Sequence, residues 1–336
     1  MIVTITALVL NTDTNTAGHD LVTTGAVNYL NQASAAQSDS ANHTSDVLLP
    51  NLSLTHSALP TTVEGGDAIT YTLTATNIAS ATATNGYGWE IFGSAPAILN
   101  TPAITSAVLS RGSIDISGCA SFSGNDLAVD GSCLAGGQQG AEHYLAPGET
   151  ITVVYSATVG SGIGFEQTIA NTMEVAITSL PGSNGAAAPG AAGSDTGERI
   201  GDNSNNDSGQ AVNDLVTMAT ASVTSSAPTL SMTASIAQAA ILDGVTLTAS
   251  FGVPVGTNNN LVYTLDLPTG LTYQNEAIVI TLPASDFTAS LAPNTTPGAG
   301  TDPITLDFGT ITNSGTTSQN VTISVKVEID NILANQ

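Results

Sequence analysis

Apolar and polar residues alternate with a period of two along most of the chain, and no stretch holds a helical period. The alternation predicts strands over residues 3–10, 20–30, 51–55, 68–76, 149–159, 168–178, 229–234, 245–251, 261–265, 277–282 and 320–330. Thr and Val recur in these stretches, and both suit a pleated, half-buried surface. Turn clusters stand between them: Glu64-Gly65-Gly66-Asp67, Ala146-Pro147-Gly148 and Leu180-Pro181-Gly182. Gly, Asp and Pro supply the backbone angles that such turns need. Many short strands separated by turns predict an all-β chain built from antiparallel sandwiches.

The chain also repeats itself. Pro50-Asn-Leu-Ser-Leu-Thr55 returns 178 residues later as Pro228-Thr-Leu-Ser-Met-Thr233. Asp67-Ala-Ile-Thr70 matches Asp243-Gly-Val-Thr246. Val3-Thr-Ile-Thr-Ala7 matches Ile151-Thr-Val-Val-Tyr155, and the same offset of 148 puts Thr24 on Thr172 and Val27 on Val175. Val321-Thr-Ile-Ser-Val325 falls on that same strand. Self-similarity of this kind marks a tandem array. It predicts three parts: 1–49, the terminal strands of a preceding or neighbouring sandwich; 50–227, a complete sandwich; and 228–336, a sandwich lacking its last strands. The chain is expected to be cut out of phase with its own domains.

A resemblance follows from these pieces. Leu265-Asp-Leu-Pro-Thr-Gly-Leu-Thr-Tyr273, Leu306-Asp-Phe-Gly-Thr-Ile311 and Val321-Thr-Ile-Ser-Val-Lys-Val-Glu-Ile329 occur in that order. So do Ile69-Thr-Tyr-Thr-Leu-Thr-Ala-Thr-Asn77, Pro147-Gly-Glu-Thr-Ile-Thr-Val153 and Ile169-Ala-Asn-Thr172. Together they resemble the "domain of unknown function eleven" repeats of giant bacterial and archaeal extracellular proteins. The resemblance implies tandem Ig-like β-sandwiches of Greek-key type and a surface architecture without catalysis. The middle repeat departs from the pattern. It carries Trp89-Glu-Ile-Phe-Gly-Ser94 near the place of the Asp-Leu-Pro-Thr-Gly-Leu element.

Charge narrows the partners. Among 336 residues only Arg111, Arg199 and Lys326 are basic, against 27 acidic ones, for a net charge of −24. Three cations make no footprint for nucleic acid and no hold on an anionic membrane surface. The 41% hydrophobic content is enough for a packed core rather than a disordered acidic chain. The length suits two to three domains. No apolar run approaches the roughly 18 residues of a membrane span, so no membrane insertion is expected. A Lys-poor, Thr-rich acidic composition reads as secreted, extracellular or cell-surface. The start, Met1-Ile-Val-Thr-Ile-Thr6, lacks the basic n-region of a signal peptide, so a mature form or a piece of a longer chain is expected.

Candidate chemistry is sparse. Cys119 and Cys133 are the two cysteines, and they flank a Gly/Asn/Asp-rich loop. A structural disulfide is the favoured reading over a metal pair or a reactive thiol. Closing a loop of about 15 residues stabilises by about 3 kcal/mol in the chain-entropy model. It also implies an oxidising compartment. Zinc would want about four ligands, and only His143 lies near. Asp202, Ser204 and Asn206, with Asp207 and Asp214, form a cluster of hard oxygen ligands with the 1, 3, 5 spacing of a calcium loop. Calcium is therefore a candidate cofactor, set against a plain solvated loop. Asp13, Asn15 and Asp20 are a weaker echo. His19, His43, His56 and His143 have no metal spacing. Lys326 is the one lysine, and its counterparts Leu8 and Ser156 exclude a repeating isopeptide bond. Trp89, Tyr71 and Tyr155 read as core rather than as a sugar platform.

The phase shift suggests the function. An incomplete sandwich exposes an unpaired edge that invites another chain. The predicted junction places Val3, Val22, Val27 and Tyr29 with Val321, Ile323 and Val325. The partners are then copies of the chain head to tail, by strand donation, or adjacent repeats of a giant chain. Residues 3–10 and 321–330 match one strand and would compete for it, which favours the covalent arrangement. The expected role is the shaft of a filament, stalk or adhesin; the alternative is an adhesin or carbohydrate-binding module.

Overall fold

In a computed structural model, the described residues are 4–7, 15, 17–131, 134, 143–179 and 215–332. They are nearly all strand, with single 3₁₀ turns at Arg111–Ser113 and Ser117–Cys119. The strands form a hairpin and two β-sandwiches.

The hairpin pairs β1 (Asp20–Leu30) with β2 (Ala36–Asp46). The middle sandwich holds β3 (Leu52–Leu59), β4 (Thr62–Val63), β5 (Ala68–Asn77), β6 (Gly86–Ser94), β7 (Leu99–Leu109) and β8 (Ile114–Asp115). It continues with β9 (Ala120–Ser123), β10 (Asp126–Asp130), β11 (Tyr144–Leu145), β12 (Thr150–Val159), β13 (Thr168–Thr178) and β14 (Val216–Ser225). One sheet runs β3-β5-β12-β7-β8; the facing sheet runs β4-β14-β13-β6-β10-β9, with β11 also on β6. The third part holds β15 (Thr229–Ala234), β16 (Gly244–Val253), β17 (Gly256–Leu265), β18 (Leu271–Tyr273), β19 (Val279–Thr281), β20 (Phe287–Ala289), β21 (Ile304–Asn313) and β22 (Gln319–Ile329). Its sheets run β15-β16-β22-β18, with β19 also on β22, and β17-β21-β20.

Each sandwich has its own core. Alternate residues of β5 and β12, such as Ile69, Tyr71, Leu73, Ile151, Val153 and Tyr155, point into the first and are fully buried. Trp89 and Ile91 of β6 meet them from the facing sheet. The second core gathers Phe251, Leu306, Phe308, Val321, Ile323 and Val325. Burial of such side chains contributes about 1.5–3 kcal/mol each.

Two polar ties fix the middle sandwich. The Arg111 guanidinium forks onto Glu149 at 2.6 and 2.5 Å and lies 3.8 Å over the Tyr144 ring. That pairing holds the Glu149 carboxyl below the usual range and anchors the returning chain before β12. Inside, Asn171 Nδ2 donates to the Tyr155 hydroxyl, which lies 2.9 Å from His56 Nε2. Burial keeps the Tyr155 phenol protonated and pushes the His56 pKa down.

The structure departs from the sequence pattern in several places. Residues 4–7 of the predicted first strand form no strand and are exposed. Alternation alone does not make a strand where no neighbour supplies backbone hydrogen bonds. Conversely, β2, β6, β7, β14 and β21 were not predicted. In β2 all eleven residues are exposed, so no apolar face marks it. In β6 both faces are largely covered, which erases the alternation.

The His56 tie gives a pH dependence. Its folded pKa lies below the ordinary histidine value, so the unfolded chain takes the proton first as pH falls. Stability is therefore full above the ordinary value of about 6.5 and is lost as pH drops from there through the folded pKa. Urea melts at pH 7.5 and 5.5 should show this loss in the parent chain and a smaller one in His56→Gln.

Candidate functional site

Three features are candidate functional surfaces: a joint between the sandwiches, a free sheet edge, and the hairpin.

The joint is built from chain ends of the middle sandwich. The β4–β5 turn, Glu64 to Asp67, is closed by Asp67 Oδ2 accepting from the Glu64 amide at 2.7 Å. Gly65 N then donates to Val255 O at 3.0 Å, and Glu64 Oε2 accepts from Val255 N at 3.0 Å. Glu64 Oε1 accepts from the Ser318 hydroxyl at 3.0 Å. From the β12–β13 connection, Ile163 O accepts from Thr257 N, Phe165 N donates to Asn258 Oδ1, and the Phe165 ring packs on the second core. Gly256 makes this approach possible. Its φ is +152°, and a Cβ there would stand 2.3 Å from Ile163 O. Two backbone-to-backbone bonds, Gly65 N to Val255 O and Thr257 N to Ile163 O, thus cross the joint.

One free edge belongs to β17. In the middle sandwich, β6 is paired on one side with β10 and on the other with β13. In the third part, β17 pairs with β21, and among the described residues no strand lies along its other edge. An apolar groove of about 150 Å³ opens there, lined by Thr229, Leu230, Phe251, Leu261, Val262 and Tyr263. Leu230 is 67% exposed and Val262 47%.

The hairpin stands apart from both cores. Every residue of β1 and β2 is exposed except Leu21, which is partly so. Val22, Val27 and Tyr29, predicted for the junction, are all exposed here. Val47, at the hairpin's foot, is buried, and Leu49 bridges to Ala83 of the middle sandwich. Residues 17–46 therefore pack on no described part of the third sandwich.

The other predicted residues fall as follows. Val321, Ile323 and Val325 lie deep in the second core, and β22 has β16 on one edge and β18 and β19 on the other. β22 therefore offers no free strand edge of its own, while β17, among the described residues, is paired on one side only. Val3 lies outside the described residues. So do Asp202, Ser204, Asn206, Asp207, Asp214 and Asp13. Cys119 is not a free thiol, and its expected partner Cys133 is outside the described residues. Lys326 forms an exposed ion pair with Glu276. Trp89, Tyr71 and Tyr155 are fully buried; Trp89 meets His143 edge-on, and the two tyrosines stack at 5.0 Å. Among the described residues no helix is long and apolar enough to cross a membrane.

The pattern of sequence repeats pointed to the strand β1 but not to its partner β2 or to the β17 edge. Polar Asn258, Asn259 and Asn260 break its alternation, and β17 carries a register shift there.

No family model matches the chain, and no curated protein sequence matches it. Among solved structures, it is similar to the Actinomyces fimbrial adhesin FimA at 14% identity, over 84% of this chain and 83% of that one, with a TM-score of 0.31. It is similar to a 35 kDa C-terminal fragment of the major pilin GBS80 of Streptococcus agalactiae at 12% identity, over 81% and 79%, with a TM-score of 0.32. The full-length major pilin SpaD from Corynebacterium diphtheriae is 10% identical over 82% of this chain and 51% of its own, with a TM-score of 0.30. Likenesses this faint say nothing of how this chain assembles.

The joint should depend on Glu64 and Gly256. Glu64→Ala removes the acceptor for Val255 N, a loss of about 1–3 kcal/mol if water cannot replace it. Gly256→Ala should push the sandwiches apart. Small-angle scattering should show a more variable interdomain distance in both variants, with each core still melting cooperatively.

Proposed function

We propose that the chain is an extracellular structural protein, its sandwiches stacked in series as the shaft of a filament, stalk or adhesin. The observation that carries this reading is the joint. Gly65 and Ile163 hold the next sandwich through backbone hydrogen bonds, the Glu64 carboxylate through the Val255 amide, and the Phe165 amide through Asn258 Oδ1, an arrangement that supports a stiff segment of two domains. Stiff serial joints serve reach and load, where a binding or catalytic protein needs a cleft. The full burial of Trp89, Tyr71 and Tyr155 removes them as a sugar-stacking platform.

The resemblance to the "domain of unknown function eleven" repeats is proposed on the same ground: tandem sandwiches with matching strands. A net charge of −24 keeps such rods apart in solution through mutual repulsion, which salt screens. Pairing of Cys119 with Cys133 would staple the insertion between β8 and β11, which suits an oxidising exterior. Calcium at Asp202, Ser204, Asn206, Asp207 and Asp214 is proposed on residue type and spacing alone.

Electron microscopy of the purified full chain should show unbranched fibres with an axial repeat of two sandwiches. A population of dispersed monomers at all concentrations and salts would remove the shaft reading. Thermal melts with calcium and with EDTA should differ by several degrees; identical melts would remove the calcium site.

A further inference from the structure

The hairpin and the free edge are built to the same template. The offsets of 148 and 178 carry Asp20 and Asp46 onto Thr168 and Thr224. Asp20 pairs with Asp46, and Thr168 pairs with Thr224. The register of β1 on β2 is thus that of β13 on β14. In the middle sandwich, β13 hydrogen-bonds along β6, and β14 packs over β3. The β1–β2 hairpin has the form of that pair but no sandwich under it.

The third sandwich repeats the surface on which β13 and β14 lie. Asn320 pairs with Gly252 as Thr150 pairs with Thr76, so β22 on β16 keeps the register of β12 on β5. Asp243 Oδ2 closes the turn at Ala240 as Asp67 closes the turn at Glu64. Leu242 N donates to Ile329 O as Gly66 N donates to Val159 O. Leu271 N donates to Pro268 O as Leu99 N donates to Pro96 O, which sets β17 on β6 with an offset of 172. By these equivalences β17 is the strand that would receive β1, and β15 is the strand that β2 would cover.

We propose that the β1–β2 hairpin of one copy docks along the free edge of β17 in a second copy and closes the groove beneath β15. This rests on the shaft reading and names its partner: the next copy of the same chain. The register follows from Val175 opposite Ile91 in the middle sandwich. It places Val27 opposite Tyr263, Ala26 opposite Thr264, and Asn28 opposite Val262. Val27 and Tyr29 then face the groove with Leu21, the positions that Val175, Ile177 and Ile169 fill in the first core.

The docking is between copies. The hairpin is tethered beyond Asn77, where Leu49 meets Ala83, while the third sandwich is held beyond Ala68, at Glu64 and Gly65. Those are opposite ends of β5, whose ten residues span about 33 Å. A lone two-stranded hairpin is marginal in water, and an apolar groove beside an open edge invites a strand. Docking relieves both. Because donor and acceptor are different surfaces, the contact is head-to-tail and propagates into a fibre.

The test uses the full chain, with Cys119 and Cys133 retained, as two variants that each add one cysteine, Asn28→Cys and Val262→Cys, mixed under mild oxidation. The expected result is a disulfide-linked dimer, roughly tenfold more abundant than with Thr24→Cys and Val262→Cys, four residues out of register. Val27→Asp with Tyr29→Asp, on the Asn28→Cys chain, should abolish the cross-link while both cores still melt cooperatively. Equal cross-linking at Thr24 and Asn28, or none at either, overturns the proposal. So does a cross-link that closes within one chain when Asn28→Cys and Val262→Cys are combined. Fibres without the registered cross-link overturn hairpin donation and leave the shaft. Registered dimers that never extend into fibres do the reverse.

Discussion

A strand at the edge of a sheet carries a row of backbone N–H and C=O groups that must find partners. That constraint organises this chain. In the middle sandwich, β6 meets it with β10 on one side and β13 on the other. In the third sandwich, β17 meets it on one side alone among the described residues, and an apolar groove lies beside the open side. The hairpin has the converse defect: its two strands satisfy each other, but neither face rests on a core. Taken singly, each would be an oddity of a marginal domain. Taken together, they supply the two sides of the docking proposed above.

The joint between the sandwiches obeys the same constraint by other means. Backbone groups at Gly65, Val255 and Thr257 would be left unpaired where two sandwiches meet, and each finds its partner on the other sandwich. Ile163 and Val255 are buried beside these bonds, and Phe165 packs on the second core. Gly256 is the geometric condition, because any side chain there would collide with Ile163 O. Hydrogen bonds are directional, so they fix the orientation of the two sandwiches in a way that apolar contact alone does not.

The two sandwiches share register but not core chemistry. The middle one is tied by polar groups: Tyr155 with His56 and Asn171, and Arg111 with Glu149. At the matching positions of the third, Val325 stands for Tyr155 and Ala234 for His56. Its core holds the edge-on pair Phe251 and Phe308 and the buried Tyr273, and its polar ties lie elsewhere: the Tyr273 hydroxyl donates to Glu276 O and Asn313 Nδ2 donates to Val253 O. Between β3 and β5 the pairing differs by two residues from that between β15 and β16, since Thr55 meets Thr74 but Thr233 meets Thr248. A slip of two keeps every side chain on its own face, so the fold tolerates it.

Much of this was legible without coordinates. Period-two alternation located β5, β12, β13, β16 and β22, because those strands are buried on one face and half-covered on the other. Repeats such as Thr24 with Thr172 marked residues 20–30 as a displaced copy of β13, because matching faces demand matching residues at alternate positions. Tertiary structure decided the rest. The strand β2 has no apolar face, so only its pairing with β1 reveals it. Val321, Ile323 and Val325 look like any alternating strand, yet β22 lies in mid-sheet with both edges taken. Which edge stays open depends on how non-adjacent strands are ordered across a sheet. That order is set by packing between segments far apart in sequence, whereas the period of a single strand records only which of its faces is buried.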